Sequence, residues 1–429
     1  MQRTSFSQFV TYACIFLLFY WPTYFIPSIT PSVMQKFYFI VMFAVLAIGI
    51  LVTRTRPLVP AISYVYLLPL LAMLITFPSN WEKFSEFHFA VLIKPLLLFF
   101  YTFSFFSLLQ AHFKITDLKK ISNVLFVMLL LQLLLIALQI ILGDVAFLKV
   151  ISFKRVYSGY GFRASGSFDW VYITCYVLSF YLAYYILEFL MGEQKKTSVI
   201  LIVLIFLAIF LSQSKTGYLA TALIAIYFTL ISVILNLGIA KKLLTLKLFF
   251  ISIAVLAFIK LDLNLEYISR FLELISNGEM DGSTSTRKNQ IIVAVEEGLT
   301  YWYSGSPNAL KGLIIENTFL DYLFRYGLFG LIAITLLFLA FYFYSLRICF
   351  ASRRNVETLG FKHLQLSIAC HIAIASSILY GFTGTPLDAY RSAIWSAFVV
   401  ALMAYLEYLN RSKLASVLPS KTKGETCTA

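Results

Sequence analysis

Apolar runs long enough to cross a lipid bilayer recur along nearly the whole chain, and nothing else in the sequence constrains the fold as tightly. Roughly 18 such residues in a row can cross about 30 Å of hydrocarbon only as a helix, because lipid offers backbone N–H and C=O groups no partners. Read against their polar breaks, the runs predict about twelve spans. They are Phe9–Ile26, Phe37–Val52, Ala61–Phe77, Phe89–Leu109, Val124–Leu142, Val171–Leu190, Ser198–Leu211, Tyr218–Leu237, Leu248–Ile259, Leu328–Leu346, Leu366–Tyr380 and Ala389–Leu409. The second, seventh and ninth fall short of roughly 20 residues, so their helices are expected to reach into the interface. With 60% hydrophobic and only 13% charged residues, the chain is far too apolar for a soluble domain. The expectation is an all-α polytopic membrane protein with one transmembrane domain over 1–411, and a polar tail over 412–429 expected to be disordered.

Cations set the predicted sidedness. With the N-terminus inside, inner loops carry Arg54 and Arg56, Lys195 and Lys196, or Lys241, Lys242 and Lys247, whereas short outer loops carry single cations, Lys36, Lys83, Lys215 and Arg391. That asymmetry predicts both termini in the cytoplasm. It also accounts for the net charge of +14, since cations spread over short loops are a topology signal rather than a nucleic-acid surface. No small-residue cleavage site follows the first apolar run, so no cleavable signal peptide is expected. The five cysteines form no CxxC or disulfide framework, and the four histidines share no ligand-like spacing, so neither a metal nor a cofactor is expected.

Two long outer loops, about 143–170 and 260–327, break the charge pattern. The first contains Lys154, Arg155 and Arg163 among glycines and aromatics, leading to Gly166, Asp169 and Trp170. Guanidinium groups grip phosphate oxygens with two donors, glycines let backbone N–H groups approach an anion, and aromatic faces stack on sugars. That suits a sugar diphosphate, although an interfacial aromatic belt has the same composition. A tight turn, Ser212–Gly217, adds Lys215 at the surface, either beside an anion-attracting helix N-terminus or as a snorkelling lysine.

The second loop sets Gly282–Thr286 ahead of Arg287, Lys288 and the helical pattern Ile291–Glu297. Cations in a first helical turn oppose the helix dipole and so point to an anion. Glu316 and Asn317 head the next amphipathic stretch, in which Leu320, Leu323, Phe324 and Gly327 recur at helical spacing. Glu316 can be a dipole-stabilised cap or a general base for a sugar hydroxyl. Within spans, Lys94, His371 and Arg391 are candidates for function or for inter-helix bonding, and Arg391 has Asp388 as a possible ion-pair partner. No Gly-x-x-x-x-Gly-Lys-Ser/Thr run and no Asp-rich cluster exist, which disfavours an ATP-driven pump and a metal-nucleotide-sugar enzyme.

Several of these motifs resemble those of the Wzy/O-antigen ligase superfamily of bacterial polysaccharide enzymes, and of its O-antigen polymerases in particular. Arg163-Ala-Ser-Gly166-Ser-Phe168 is similar to the family's Arg-x-x-Gly-x-Phe, with Asp169-Trp170 where Asn-Pro is common. Ser212-Gln-Ser-Lys215-Thr-Gly217 resembles its Ser-x-Ser-Arg-x-Gly turn with lysine replacing arginine. Arg155 to Gly166 and Arg287 to Gly298 both fit the Arg-x10-Gly pattern of the two polymerase loops. Glu316 stands where ligases carry histidine, which favours polymerase over ligase.

The resemblance implies a metal-independent glycosyltransferase with a GT-C-like arrangement in the bacterial inner membrane. Such an enzyme moves a growing glycan from undecaprenyl pyrophosphate to the non-reducing end of a new lipid-linked repeat unit, alongside a chain-length regulator protein. On this reading Arg163, Lys215, Arg287 and Arg391 hold pyrophosphate, with Arg155, Lys288 and Asn317 in support and Glu316 as base. Fixed cations in a partly dry site would stabilise the charge growing on the leaving group. An O-antigen ligase and a flippase or transporter of the same lipid-linked sugar are the rivals. A transporter usually sets its charges near the midplane in broken helices, whereas this chain concentrates them in outer loops.

Overall fold

The computed structural model describes residues 2–22, 31–53, 58–76, 78, 88–143, 163–168, 170–246, 273–274, 276–277, 279, 282–309, 313, 315–387 and 389–417. Among them there is no strand. The helices are α1 (Gln2–Tyr20), α2 (Pro31–Thr53), α3 (Leu67–Thr76, entered through the 3-10 turn Ala61–Tyr66), α4 (His88–His112), α5 (Leu118–Leu142) and α6 (Val171–Met191). They continue with α7 (Lys195–Leu211), α8 (Lys215–Ile234), α9 (Gly282–Thr300), α10 (Thr318–Arg354), α11 (Phe361–Gly381) and α12 (Tyr390–Val417). Every expected span except the ninth overlaps one of these helices, while Leu248–Ile259 and the ends of the first and third spans, residues 23–26 and 77, lie outside the described residues. Among the described residues, seven helical stretches are long and apolar enough to cross a membrane, and three shorter apolar ones accompany them. The chain is a helical, multi-pass membrane protein.

Helices differ in how much lipid they can face. α6, α11 and α12 bury nearly every side chain and form the centre, whereas α5 and α8 keep apolar residues such as Leu134, Ile141, Leu219 and Ile226 exposed. A helix apolar all round needs neighbours on every side, while an outer helix can leave a stripe to lipid. Trp395 of α12 is fully buried and packs edge-on against Phe19 of α1 and Phe180 of α6 at 5.4 Å.

Hydrogen bonds sort the helix ends onto two opposite faces. On one, Arg391 at the start of α12 donates to the Trp21 carbonyl just after α1, and Thr318 at the start of α10 donates to the Gly384 carbonyl just after α11. On the other, Gln8 of α1 donates to the His112 carbonyl at the end of α4, and Lys362 of α11 pairs with Glu188 of α6 at 2.6 Å.

The structure corrects three local expectations. Gly327 is not a packing position at helical spacing but a break in α10, with φ +61° and ψ −153°. An added Cβ there would lie 2.0 Å from the Trp302 carbonyl oxygen, which accepts the Leu328 N–H at 2.6 Å. Helix α9 is continuous from Gly282, so Arg287 and Lys288 stand in its second turn rather than its first. At the other end α12 runs on to Val417, so residues 412–417 are helical rather than disordered. Arg411 and Lys413 suit a helix C-terminus, and Arg411 pairs with Glu407 at 2.6 Å. The rest of the expected tail, 418–429, lies outside the described residues.

Candidate functional site

The face that carries Arg391 and Thr318 also gathers the other described candidates. Arg163–Phe168 is a non-helical segment, buried from Ala164 onward and held by two glutamines of α5. Gln139 Oε1 accepts the N–H groups of Ser165 and Gly166 at 3.1 and 2.8 Å, and its Nε2 donates to the Gly166 carbonyl at 2.9 Å. Gln132 Oε1 accepts the N–H and hydroxyl of Ser167 at 3.1 and 2.7 Å. Gly166 adopts φ +61°, and a Cβ there would sit 1.9 Å from Gln132 Nε2, so both its handedness and its space call for glycine. The glutamines are seven residues apart, two helical turns, and so share one face of α5. Sequence reasoning missed them. The readable signal was a pair of amides in register inside an otherwise apolar span.

The cradled segment meets the turn between α7 and α8. Ala164 N–H donates to the Leu211 carbonyl at 3.4 Å, and Arg163 Nε donates to the Ser212 carbonyl at 3.4 Å. Ser214 is the N-cap of α8, its hydroxyl accepting the Gly217 N–H at 3.0 Å, so Lys215 is the first residue of the helix. Thr174 of α6 donates to the Ser165 carbonyl, which ties the segment to the start of α6.

The second half of the site is built from α9 and the start of α10. Arg287 Nε lies 2.9 Å from Glu316 Oε2, with the side chains 31% and 41% exposed. One turn further along α9, Gln290 Oε1 accepts the Glu316 N–H at 3.1 Å. The helix cap is Asn317, not Glu316: its Oδ1 accepts the Leu320 N–H at 3.0 Å while its Nδ2 donates to the Phe382 carbonyl at 2.9 Å. The carboxylate is thereby free of a capping duty and is positioned by α9 instead. Gly298 packs on Leu323, and buried Ala294 joins Ile315 and Phe324 in a small separate core that fastens α9 to α10. Eleven residues on a helix make about three turns, so Arg287 and Gly298 share a face. One grips Glu316 while the other allows the close approach that makes the grip possible.

Tyr172 of α6 connects the two halves. Its ring lies against Gly384, its hydroxyl hydrogen-bonds with Thr385, and Glu316 and Arg287 are within electrostatic range of it. Nothing in the sequence singled it out beyond its place in an aromatic-rich approach to a span. Lys288 is exposed on α9, about 100° round the helix from Arg287. Arg391 is 3% exposed, and its bond to Trp21 joins α12 to the end of α1. Arg155, Asp169 and Asp388 lie outside the described residues. Within the bundle, His371 bonds Tyr227 Oη at 2.5 Å and Ser345 Oγ at 2.8 Å, which fits the inter-helix bonding role.

The arrangement offers a carboxylate in an exposed ion pair, a tyrosine hydroxyl, and the cations Arg163 and Lys215 at helix and loop ends. An ion pair this exposed is worth about 0–1 kcal/mol, so an incoming anion can exchange for the carboxylate at Arg287 with little penalty. No family model matches the chain, and no curated protein matches it.

Proposed function

We propose that the chain is a metal-independent membrane glycosyltransferase of the surface-polysaccharide polymerase kind. Its substrates on this reading are two undecaprenyl-pyrophosphate-linked oligosaccharides, one donating the growing glycan and one accepting it at its non-reducing end. The observation that carries the proposal is the Arg287–Glu316 ion pair at 2.9 Å, set on the same face as Arg163 and Lys215. A diphosphate drawn to Arg287 releases Glu316 from its partner, and the freed carboxylate then accepts the proton of the attacking hydroxyl. Arrival of the donor thus prepares the base. Cations around the leaving pyrophosphate stabilise the charge that grows on it.

In this assignment the site faces the periplasm, both termini are cytoplasmic, and the membrane is the bacterial inner membrane. The charge pattern of the loops supports that orientation. A chain-length regulator is the expected protein partner, as the superfamily resemblance implies. Cysteines placed near Ser158 and Ser283 in a cysteine-free background should react with membrane-impermeant thiol reagents in outer-permeabilised cells. Labelling only after lysis would reverse the orientation.

The deciding experiment is Glu316→Gln in a strain lacking the native copy. Shape and hydrogen-bonding capacity remain while the proton-accepting charge is lost. Surface glycan should persist with one repeat unit, because export and attachment continue without chain growth. Long polymer stranded on the lipid carrier would instead identify a ligase, and single units held on the cytoplasmic side would identify a flippase. An unchanged ladder would remove Glu316 from the chemistry.

A further inference from the structure

We propose that the opposite face of the bundle carries a second site, a cleft that binds a phosphate-bearing anion. The cleft has a volume of about 730 Å³ and opens among α5, α6, α7 and the start of α11. Lysines reach it from three helices: Lys119 from α5, Lys195 and Lys196 from α7, and Lys362 from α11. Two carboxylates, Glu188 and Glu193, also line it.

The charges are not evenly matched once their partners are assigned. Glu188 is 4% exposed and is occupied within the floor, where Oε2 accepts from Lys362 at 2.6 Å and Oε1 accepts the Gln194 N–H at 3.2 Å. Lys362 donates further to Tyr184 Oη at 3.2 Å and Gln365 Oε1 at 3.0 Å. The floor is therefore neutral and fixed. Above it stand the exposed Lys119, Lys195 and Lys196 against the exposed Glu193 alone, and none of the three lysines forms an ion pair among the described residues.

The end of α7 adds to the same field. Gln194 provides no side-chain cap, and the first turn holds two lysines and no acidic residue. Both features leave positive potential at a helix N-terminus, where an anion is favourable and cations are not. Ser122, Asn123 and Thr197 supply neutral polar groups on the walls.

Lipid is the favoured source of the anion. The cleft wall includes the ring of Phe126, and just beyond it α5 exposes Val127 and Leu130 while α7 exposes Ile200 and Val203. A phosphate seated on the lysines thus has an apolar track beside it for acyl chains, as expected of a basic pocket between membrane helices. The proposed glycosyl transfer on the other face makes no use of any of these groups.

The test uses the full chain, purified in neutral detergent and stripped of lipid. Adducts of phosphatidylglycerol and phosphatidylcholine are read by native mass spectrometry, and inorganic phosphate binding is read by thermal shift. Wild type should retain phosphatidylglycerol in preference to phosphatidylcholine. Lys119→Gln with Lys196→Gln should weaken that retention by about thirtyfold, taking each lysine near the surface at its usual strength. Lys241→Gln with Lys242→Gln, exposed outside the cleft, should leave it unchanged. Saturable phosphate binding without lipid preference, lost in the same cleft variant, would support the site with a soluble source. Equal retention of the two lipids without phosphate binding, or binding that the cleft variant leaves intact, would overturn the proposal.

Discussion

Two glycines, each eleven residues after an arginine, do different work in the two halves of the candidate site. Gly298 lies on a straight helix, where the spacing brings it under Arg287 on one face and lets α9 settle on Leu323. Gly166 lies in a non-helical segment with φ +61°, where the backbone is threaded between two glutamines. The same sequence pattern therefore has two physical causes. The first half is a buried frame fixed by backbone hydrogen bonds, and the second is a half-exposed pair of charges resting on a helix that can be loosened.

That contrast breaks most severely at Gln139. Gln139→Leu would strand the N–H groups of Ser165 and Gly166 and the Gly166 carbonyl in a buried position. At about 1–3 kcal/mol for each of the three unsatisfied groups, the loss should be about 3–9 kcal/mol. It should appear as a large fall in thermal midpoint together with loss of product. A variant of unchanged stability would show that the segment is not held from α5.

Gly298→Val tests the other half. Its new side chain meets Leu323 at a place where a Cβ alone comes within 2.7 Å, so α9 must shift at a cost of about 1–3 kcal/mol. Limited proteolysis should cut α9 faster while the membrane helices stay resistant, and on the proposed function polymer should shorten. Uniform resistance would mean that α9 is not a separately yielding element.

Arg287→Lys sharpens the comparison further, because the exposed pair contributes about 0–1 kcal/mol and stability should scarcely change. Activity should still fall, since an ammonium cannot hold a carboxylate or phosphate with two parallel donors. A wild-type ladder would make Arg287 an ordinary loop charge. Lys288→Gln should have the smallest effect, within about twofold in product, as expected for an exposed lysine with no ion-pair partner among the described residues.

The sequence made the spans legible because the bilayer imposes a length and an apolarity that few other folds need. It made Arg163 and Arg287 legible as cations in outer loops that break the charge pattern, Lys215 through its tight turn, and Glu316 as the head of an amphipathic stretch. It did not disclose that Arg287 and Glu316 are partners, since 29 residues separate them and only the packing of α9 on α10 brings them together. Nor did periodicity reveal the break at Gly327, because the apolar stripe continues through it while the backbone does not. The role of Asn317 was hidden for a similar reason. Residues 316 and 317 are both suitable helix heads by composition, and only the hydrogen bonds choose between them.

The break at Gly327 also bears on how the protein is made. A break where a helix enters hydrocarbon leaves an N–H group with few acceptors on the lipid side. Here the acceptor for Leu328 is the carbonyl of Trp302, and Trp302 leaves the ribosome before Gly327 does. The Gly282–Thr300 helix and the turn after it can therefore be waiting when the last strongly apolar stretch of α10 is handed to the membrane. Synthesis in the opposite order would require that stretch to insert with its first donor unmet, so the direction of translation itself favours assembly of this corner.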